Sequence, residues 1–188
     1  MAPDGGHDDR RLTTPRIPPV EKVVAKARAD APEGRPLRPF HLAATLAHHR
    51  AGRAAVEQAA AAFGDGLDPR LRELVILRMG WDTRSQYEFG QHTLAGRAAG
   101  LSDDEIRLVT RPLAEGAWTP TETLVLRMVD DIHADDMVSD EVYAGLATRF
   151  DDEHAIGFIG LAATYRFVCI ILNSLGIQPE PELPRWPS

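Results

Sequence analysis

From about residue 38 to residue 175, apolar residues are spaced as on helices. No run alternates between apolar and polar positions as a strand between turns would. The ends of the elements are marked by capping chemistry more firmly than by propensity. Asp68-Pro69 is an N-cap followed by proline at the first helical position, where its missing N–H costs nothing. Ser102 with Glu105, and Thr119 with Glu122, have capping-box spacing, and Pro120 follows the second cap. Ser139 and Asp151 are further N-caps, and Gly100 and Gly176 stand where a left-handed C-terminal residue is wanted. These signals predict helices over 38–49, 51–63, 69–81, 84–99, 103–114, 120–134, 140–149 and 152–175, with boundaries good to about 2–4 residues. The fold class is all-α, a bundle of about eight helices.

The ends read differently. Residues 1–17 are polar and rich in Pro, Gly and mixed charge, and are expected to be a flexible tail. Ala31-Pro-Glu-Gly-Arg-Pro-Leu-Arg-Pro39 reads as a linker into the body. The Pro-rich tail 179–188 cannot continue a helix, because proline lacks the N–H and clashes with the preceding turn. A single helical domain over 18–178 is left between them. Within it, Glu73-Leu-Val-Ile-Leu-Arg-Met79 is echoed by Glu122-Thr-Leu-Val-Leu-Arg-Met128. Either two Leu-rich helices coincide by chance, or a helical unit was duplicated and one copy kept functional groups.

Composition excludes several classes. A chain of 188 residues can bury a sizeable core without metal or disulfide. Its formal charge is −7, and lysine occurs only at Lys22 and Lys26, so a phosphate-neutralising surface for nucleic acid is missing. The one cysteine, Cys169, sits in the apolar run Phe167-Val-Cys-Ile-Ile-Leu172 and reads as a core thiol. There is neither a spaced Cys/His set for zinc nor a Gly-rich phosphate loop, so no metal and no cofactor is expected. The N-terminus lacks the apolar core of a signal peptide, and no apolar stretch was expected to reach the ~20 residues of a membrane span. The cytoplasm is the expected location, and a small molecule the expected partner.

Candidate chemistry is concentrated between Leu71 and Thr93, which read as two helices joined by a tight turn near Asp82-Thr83. Such a pair packs antiparallel. Ser85, Glu88 and His92 are spaced by three and four and share one face of the second helix. Glu73 lies about two turns before the turn and His92 about two turns after it, so Glu73, Glu88 and His92 can converge. A carboxylate orients an imidazole and raises its pKa, while a second, part-buried carboxylate can act as base or acid. The alternative is a buried polar network that only fixes helix register.

Glu73-Leu-Val-Ile-Leu-Arg78, Tyr87-Glu-Phe-Gly-Gln-His92 and Ala99-Gly-Leu-Ser-Asp-Asp-Glu-Ile106 together resemble the core signature of the carboxymuconolactone decarboxylase family, within the alkylhydroperoxidase D-like superfamily. The resemblance covers roughly residues 35–178. It implies a compact alkylhydroperoxidase D-like bundle around a central antiparallel hairpin, and a homo-oligomer, trimer or hexamer. The peroxidase branch carries Cys-x-x-Cys, its first cysteine twelve residues after the glutamate; here those positions are Ser85 and Glu88. A thiol relay needs both thiols, so the resemblance points to the decarboxylase-like branch and not to a dithiol peroxidase.

The implied activity is a cofactor-independent decarboxylase or related lyase on an enolisable carboxylic or lactone acid. His92 is then the general acid or enolate-stabilising donor, held by Glu73, with Glu88 as the second proton-transfer group. Ser85, Tyr87 and Trp81 are candidate substrate contacts, Trp81 being either pocket wall or core. Arg78 is a candidate carboxylate anchor through its fork, or else one side of a salt bridge. Other acid–base reactions of the same groups, such as isomerisation, dehydration, ring opening or rearrangement, and a non-catalytic binding or scaffold subunit stay open. Asp130-Asp-Ile-His-Ala-Asp-Asp136 reads as an acidic helix end more readily than as a metal cluster.

Overall fold

The computed structural model describes residues 12–30 and 40–187. The linker at 31–39 and the first eleven residues of the expected tail lie outside them. The described residues form nine α-helices and no strand: α1 Glu21–Ala29, α2 Phe40–Leu46, α3 Arg50–Gly64, α4 Pro69–Asp82, α5 Gln86–Ala98, α6 Asp103–Leu108, α7 Pro120–Asp135, α8 Asp140–Arg149 and α9 Asp152–Leu175. A 3₁₀ turn spans Leu113–Glu115. The N-caps expected at Asp68, Ser102, Thr119, Ser139 and Asp151 all accept a backbone N–H, and both capping boxes form. Gly100 and Gly176 adopt φ of 91° and 65°, which a Cβ would oppose.

Helix α4 is the centre of the bundle. It packs against α5, α7 and α9, and every residue from Glu73 to Gly80 is buried. Val75, Ile76 and Met79 enter one apolar core with Met128, Phe158 and Leu161, whereas Leu74 and Leu77 enter another with Phe89, Ile106 and Leu126. Each such side chain contributes about 1.5–3 kcal/mol. That apolar payment on several faces is what permits a helix this deep to carry Glu73 and Arg78.

The hairpin turn is Thr83, Arg84 and Ser85. Thr83 N–H donates to Met79 O at 3.0 Å and Ser85 N–H to Gly80 O at 2.8 Å, with Arg84 left-handed at φ 55°. Asn173 on α9 donates to Thr83 O at 2.9 Å, tying the turn to the longest helix. A Cβ on Gly80 would stand 3.3 Å from Phe89 N, so the two helices close tightly beside the turn.

Five features depart from the sequence reading. Helix α1 was not foreseen; Val20 caps it without a side-chain bond, leaving no signal to read. The helix expected over 103–114 ends at Leu108, since Pro112 cannot continue the ladder. Residues 12–17 are tied down: Arg16 N–H donates to Leu175 O, and Gln178 donates to Leu12 O, both at 2.8 Å. The Pro-rich C-terminal segment leaves the helix as expected but docks along α5. Its Glu180 is fully buried, accepting from His41 N and the Tyr87 hydroxyl at 2.9 Å and from Gln91 at 3.1 Å. Finally, α9 is long and apolar enough by length and composition to cross a membrane, contrary to the expectation. Its Phe158, Leu161, Val168 and Leu172 are buried, and it packs on α3 and α4.

The two echoing segments share a core but differ in their surroundings. Met79 and Met128 share one core, but Glu73 lies five residues after its cap and Glu122 three after its own. Arg78 is buried whereas Arg127 is exposed on Glu141.

Arg78 joins α4 to α7. Nε and Nη2 donate to Asp130 at 2.6 and 3.1 Å, and Nη1 donates to Val109 O and Arg111 O at 2.6 and 3.0 Å. Asp82, at the end of α4, has its Oδ2 3.6 Å from Arg78 Nε and is 14% exposed. Burial pushes its pKa up to about 7; Arg78 opposes this and the neighbouring Asp130 adds to it. A folded pKa above the unfolded value near 4 means the folded state holds the proton longer. Asp82 therefore makes stability fall as pH rises from about 4 to about 7, at up to about 1.4 kcal/mol per pH unit. Asp82→Asn should abolish that slope. In urea titrations the variant should gain on the parent from pH 5 to pH 8; parallel pH dependences would contradict the assignment.

Candidate active site

The seam between α4 and α5 holds one imidazole between two carboxylates. His92 Nδ1 is 2.6 Å from Glu73 Oε2 across the hairpin, and Nε2 is 3.0 Å from Glu88 Oε1 one turn back on α5. The other Glu73 oxygen accepts from Arg72 Nε at 3.0 Å. Glu73 and Glu88 are buried, and the His92 side chain is 16% exposed. Tyr165 on α9 meets the His92 ring edge-on, with centroids 5.0 Å apart. The equal distances of Glu73 and His92 from the turn produce the cross-hairpin bond, and the four-residue spacing produces the bond to Glu88.

Burial disfavours the charged form of His92, but Glu73 and then Glu88 outweigh it and push its pKa up to about 10. Burial likewise opposes the charge on Glu73, yet His92 and Arg72 hold its pKa below the usual carboxylate range. At neutral pH the ring is an imidazolium donating both N–H groups. Burial, and then the charges of Glu88 and Glu73, push the Tyr165 pKa upward, so its hydroxyl stays protonated. That hydroxyl makes no hydrogen bond among the described residues.

Two cavities meet at His92 and Tyr165, sharing Ala60. One, about 810 Å³ and open, is edged by Gln58, Asp65, Arg72 and Glu73. The other, about 430 Å³, is walled by Leu42, Leu46, Val56, Ala95 and Val168, with Arg53, Glu57, Glu88 and Gln91 as its polar groups. A mostly apolar cavity of this size with a few convergent polar groups is the usual form of a small-molecule site.

The structure thus brings Glu73, Glu88 and His92 together and leaves most of the other expected contacts outside. Ser85 is fully buried, lines neither cavity, and its hydroxyl has no hydrogen-bond partner among the described residues. The Tyr87 ring lines the smaller cavity, but its hydroxyl accepts from Leu42 N at 3.1 Å and donates to Glu180. Trp81 belongs to the core, edge-on to Trp186 at 5.2 Å. Arg78 is a strut on Asp130 and two carbonyls, so it is the salt-bridge alternative and not a substrate anchor. Cys169 is fully buried and lies one turn beyond Tyr165, nearer the site than its apolar surroundings suggested.

The acids of the 130–136 segment diverge. Asp130 binds Arg78, Asp131 accepts from Ser139, and Asp136 pairs with Arg166. Among the described residues no three His, Cys, Asp or Glu side chains converge as metal ligands. Arg53, Arg72, Gln91 and Tyr165 were missed. Arg72 adjoins Glu73 in sequence and could have been suspected, while Arg53 and Tyr165 come from helices that spacing alone does not connect to the hairpin.

An all-helical bundle with a Glu–His–Glu hairpin site is the class that emerges. Residues 47–131, which contain all three groups, match the sequence model of the Carboxymuconolactone decarboxylase family. No curated protein matches the chain. Among solved structures it resembles a protein of unknown function from Agrobacterium tumefaciens, suggested to be the antioxidant defence protein AhpD. The TM-score is 0.68 at 20% identity, over 73% of this chain and 96% of that one. It also resembles an uncharacterized peroxidase-related protein with an alkylhydroperoxidase AhpD core from Ralstonia eutropha. There the TM-score is 0.69 at 17% identity, over 86% and 85% of the two chains. At such identities the likeness is one of fold.

Proposed function

We propose that the chain is a cofactor-independent carboxy-lyase acting on an enolisable carboxylic or lactone acid. The observation that carries this is the His92 ring bound at both nitrogens by carboxylates, on the wall of a largely apolar cavity. A largely apolar cavity keeps water from the developing enolate, so that the charge is met by placed protein donors and not by solvent. The carbon–carboxyl bond breaks, CO₂ leaves, and the electron pair passes into the conjugated enolate. A proton then returns to carbon, and solvent reprotonates the site.

Both His92 nitrogens are engaged, so the proton reaches carbon through Glu88, which faces the cavity, with His92 as its source. This shifts the direct role from His92 to the Glu88–His92 pair. Glu73 fixes the ring and its charge across the hairpin. The Tyr165 hydroxyl, protonated and without a bond among the described residues, donates to the developing enolate oxygen. The relatives' peroxidase-related descriptions do not extend to this chain, because Ser85 and Glu88 occupy the positions of the two relay thiols.

His92→Ala, Glu88→Gln and Glu73→Gln should each keep the helical circular dichroism and cut CO₂ release from conjugated carboxylic and lactone acids by about 10²–10⁴. Ser85→Ala should change it only a few-fold, and hydroperoxide with a dithiol should not be consumed above a heat-killed control. Folded His92→Ala and Glu73→Gln proteins that both work at the parent rate would make the cluster structural.

A further inference from the structure

The polar groups of the smaller cavity say what kind of acid it takes. They comprise two cations, Arg53 and His92, two carboxylates, Glu57 and Glu88, and the neutral side chains of Gln91, Tyr87 and Tyr165. His92 is already held by two carboxylates. Arg53 donates Nε to Glu57 at 2.8 Å, and its two Nη nitrogens make no hydrogen bond among the described residues. Those nitrogens are the unbonded side of a guanidinium that lines this cavity. The rest of the wall, on α2, α3, α5 and α9, is apolar: Leu42, Leu46, Val56, Ala95 and Val168.

We infer that the substrate is a monocarboxylate with an apolar body, aryl or alkyl, and not a dicarboxylate. The body fills the cavity of about 430 Å³ and the single carboxylate takes the unbonded side of Arg53. A second carboxylate would find no second unpaired cation in this cavity: His92 is held by Glu73 and Glu88, Gln91 donates to Glu180, and the Tyr165 hydroxyl is a neutral donor beside the carboxylate of Glu88. The inference rests on the proposal that this cavity is the active site, but it is tested by binding and not by turnover.

Calorimetric titration of the full chain with three probes separates the outcomes: 4-phenylbutanoate, its neutral amide 4-phenylbutanamide, and the dicarboxylate suberate. 4-Phenylbutanoate should bind saturably, with the amide and suberate each at least ~10-fold weaker, since a desolvated charge without its partner is heavily penalised. Arg53→Gln, at a half-exposed position, should erase the preference for acid over amide. Ala95→Leu, which fills only this cavity, should weaken both. No binding of 4-phenylbutanoate, suberate or amide binding as tight as the acid, or an Arg53→Gln protein that keeps the preference would each overturn the inference. A protein that shows the expected binding but releases CO₂ from no acid would contradict the proposed lyase activity and leave this inference standing.

Discussion

Two carboxylates of one helical hairpin terminate both nitrogens of the His92 ring, and the seam in which they do so is otherwise apolar. Bringing three ionisable groups into that seam is unfavourable unless each is paired. The pairing is complete: Arg72 and His92 hold Glu73, and Glu88 closes the other side of the ring. Glu73 and Glu88 outweigh burial and raise the His92 pKa from the ordinary 6.5 to about 10, in favour of the imidazolium. The sign of the effect on stability follows from linkage. A raised folded-state pKa gives stability that is whole below about 6.5 and is lost as pH rises through about 10.

Much of the surrounding architecture supports that seam. α4 can hold Glu73 and Arg78 at its buried centre because its apolar residues enter two cores and because each charge has a dedicated partner. Asn173 fixes the turn, and the docked C-terminal segment holds the outer side of α5 through Glu180, Tyr87 and Gln91. A Cβ on Gly90 would stand 2.8 Å from Pro184 O, so α5 presents a glycine where that segment crosses. α9 then delivers Tyr165 against the ring and completes the wall between the two cavities.

The parts legible in the sequence were those governed by local rules. Caps at Asp68, Ser102, Thr119, Ser139 and Asp151 placed the helices, and spacings of three and four placed Glu88 and His92 on one face. The cross-hairpin Glu73–His92 bond was legible because a short turn makes position along each helix a measure of distance. What escaped depends on contacts between distant segments. Nothing local marks Tyr165 as a neighbour of His92, or Arg53 as a cation that lines the smaller cavity. Arg78 was ambiguous because its destination, Asp130, lies on another helix. Glu180 looked like part of a solvated Pro-rich tail, since its burial depends on Tyr87, Gln91 and His41 meeting it from elsewhere.

The state of the His92 ring tests the clamp most directly. In protein labelled with ¹⁵N in its histidines, the two ring nitrogens of His92 can be followed by NMR through a pH titration, with His92→Gln for assignment. Both nitrogens should carry protons through neutrality, the ring giving up a proton only near pH 10, and Glu73→Gln should move that transition downward. A ring that titrates near 6.5 in the folded parent, and does not respond to Glu73→Gln, would contradict the clamped imidazolium on which the proposed proton transfer depends.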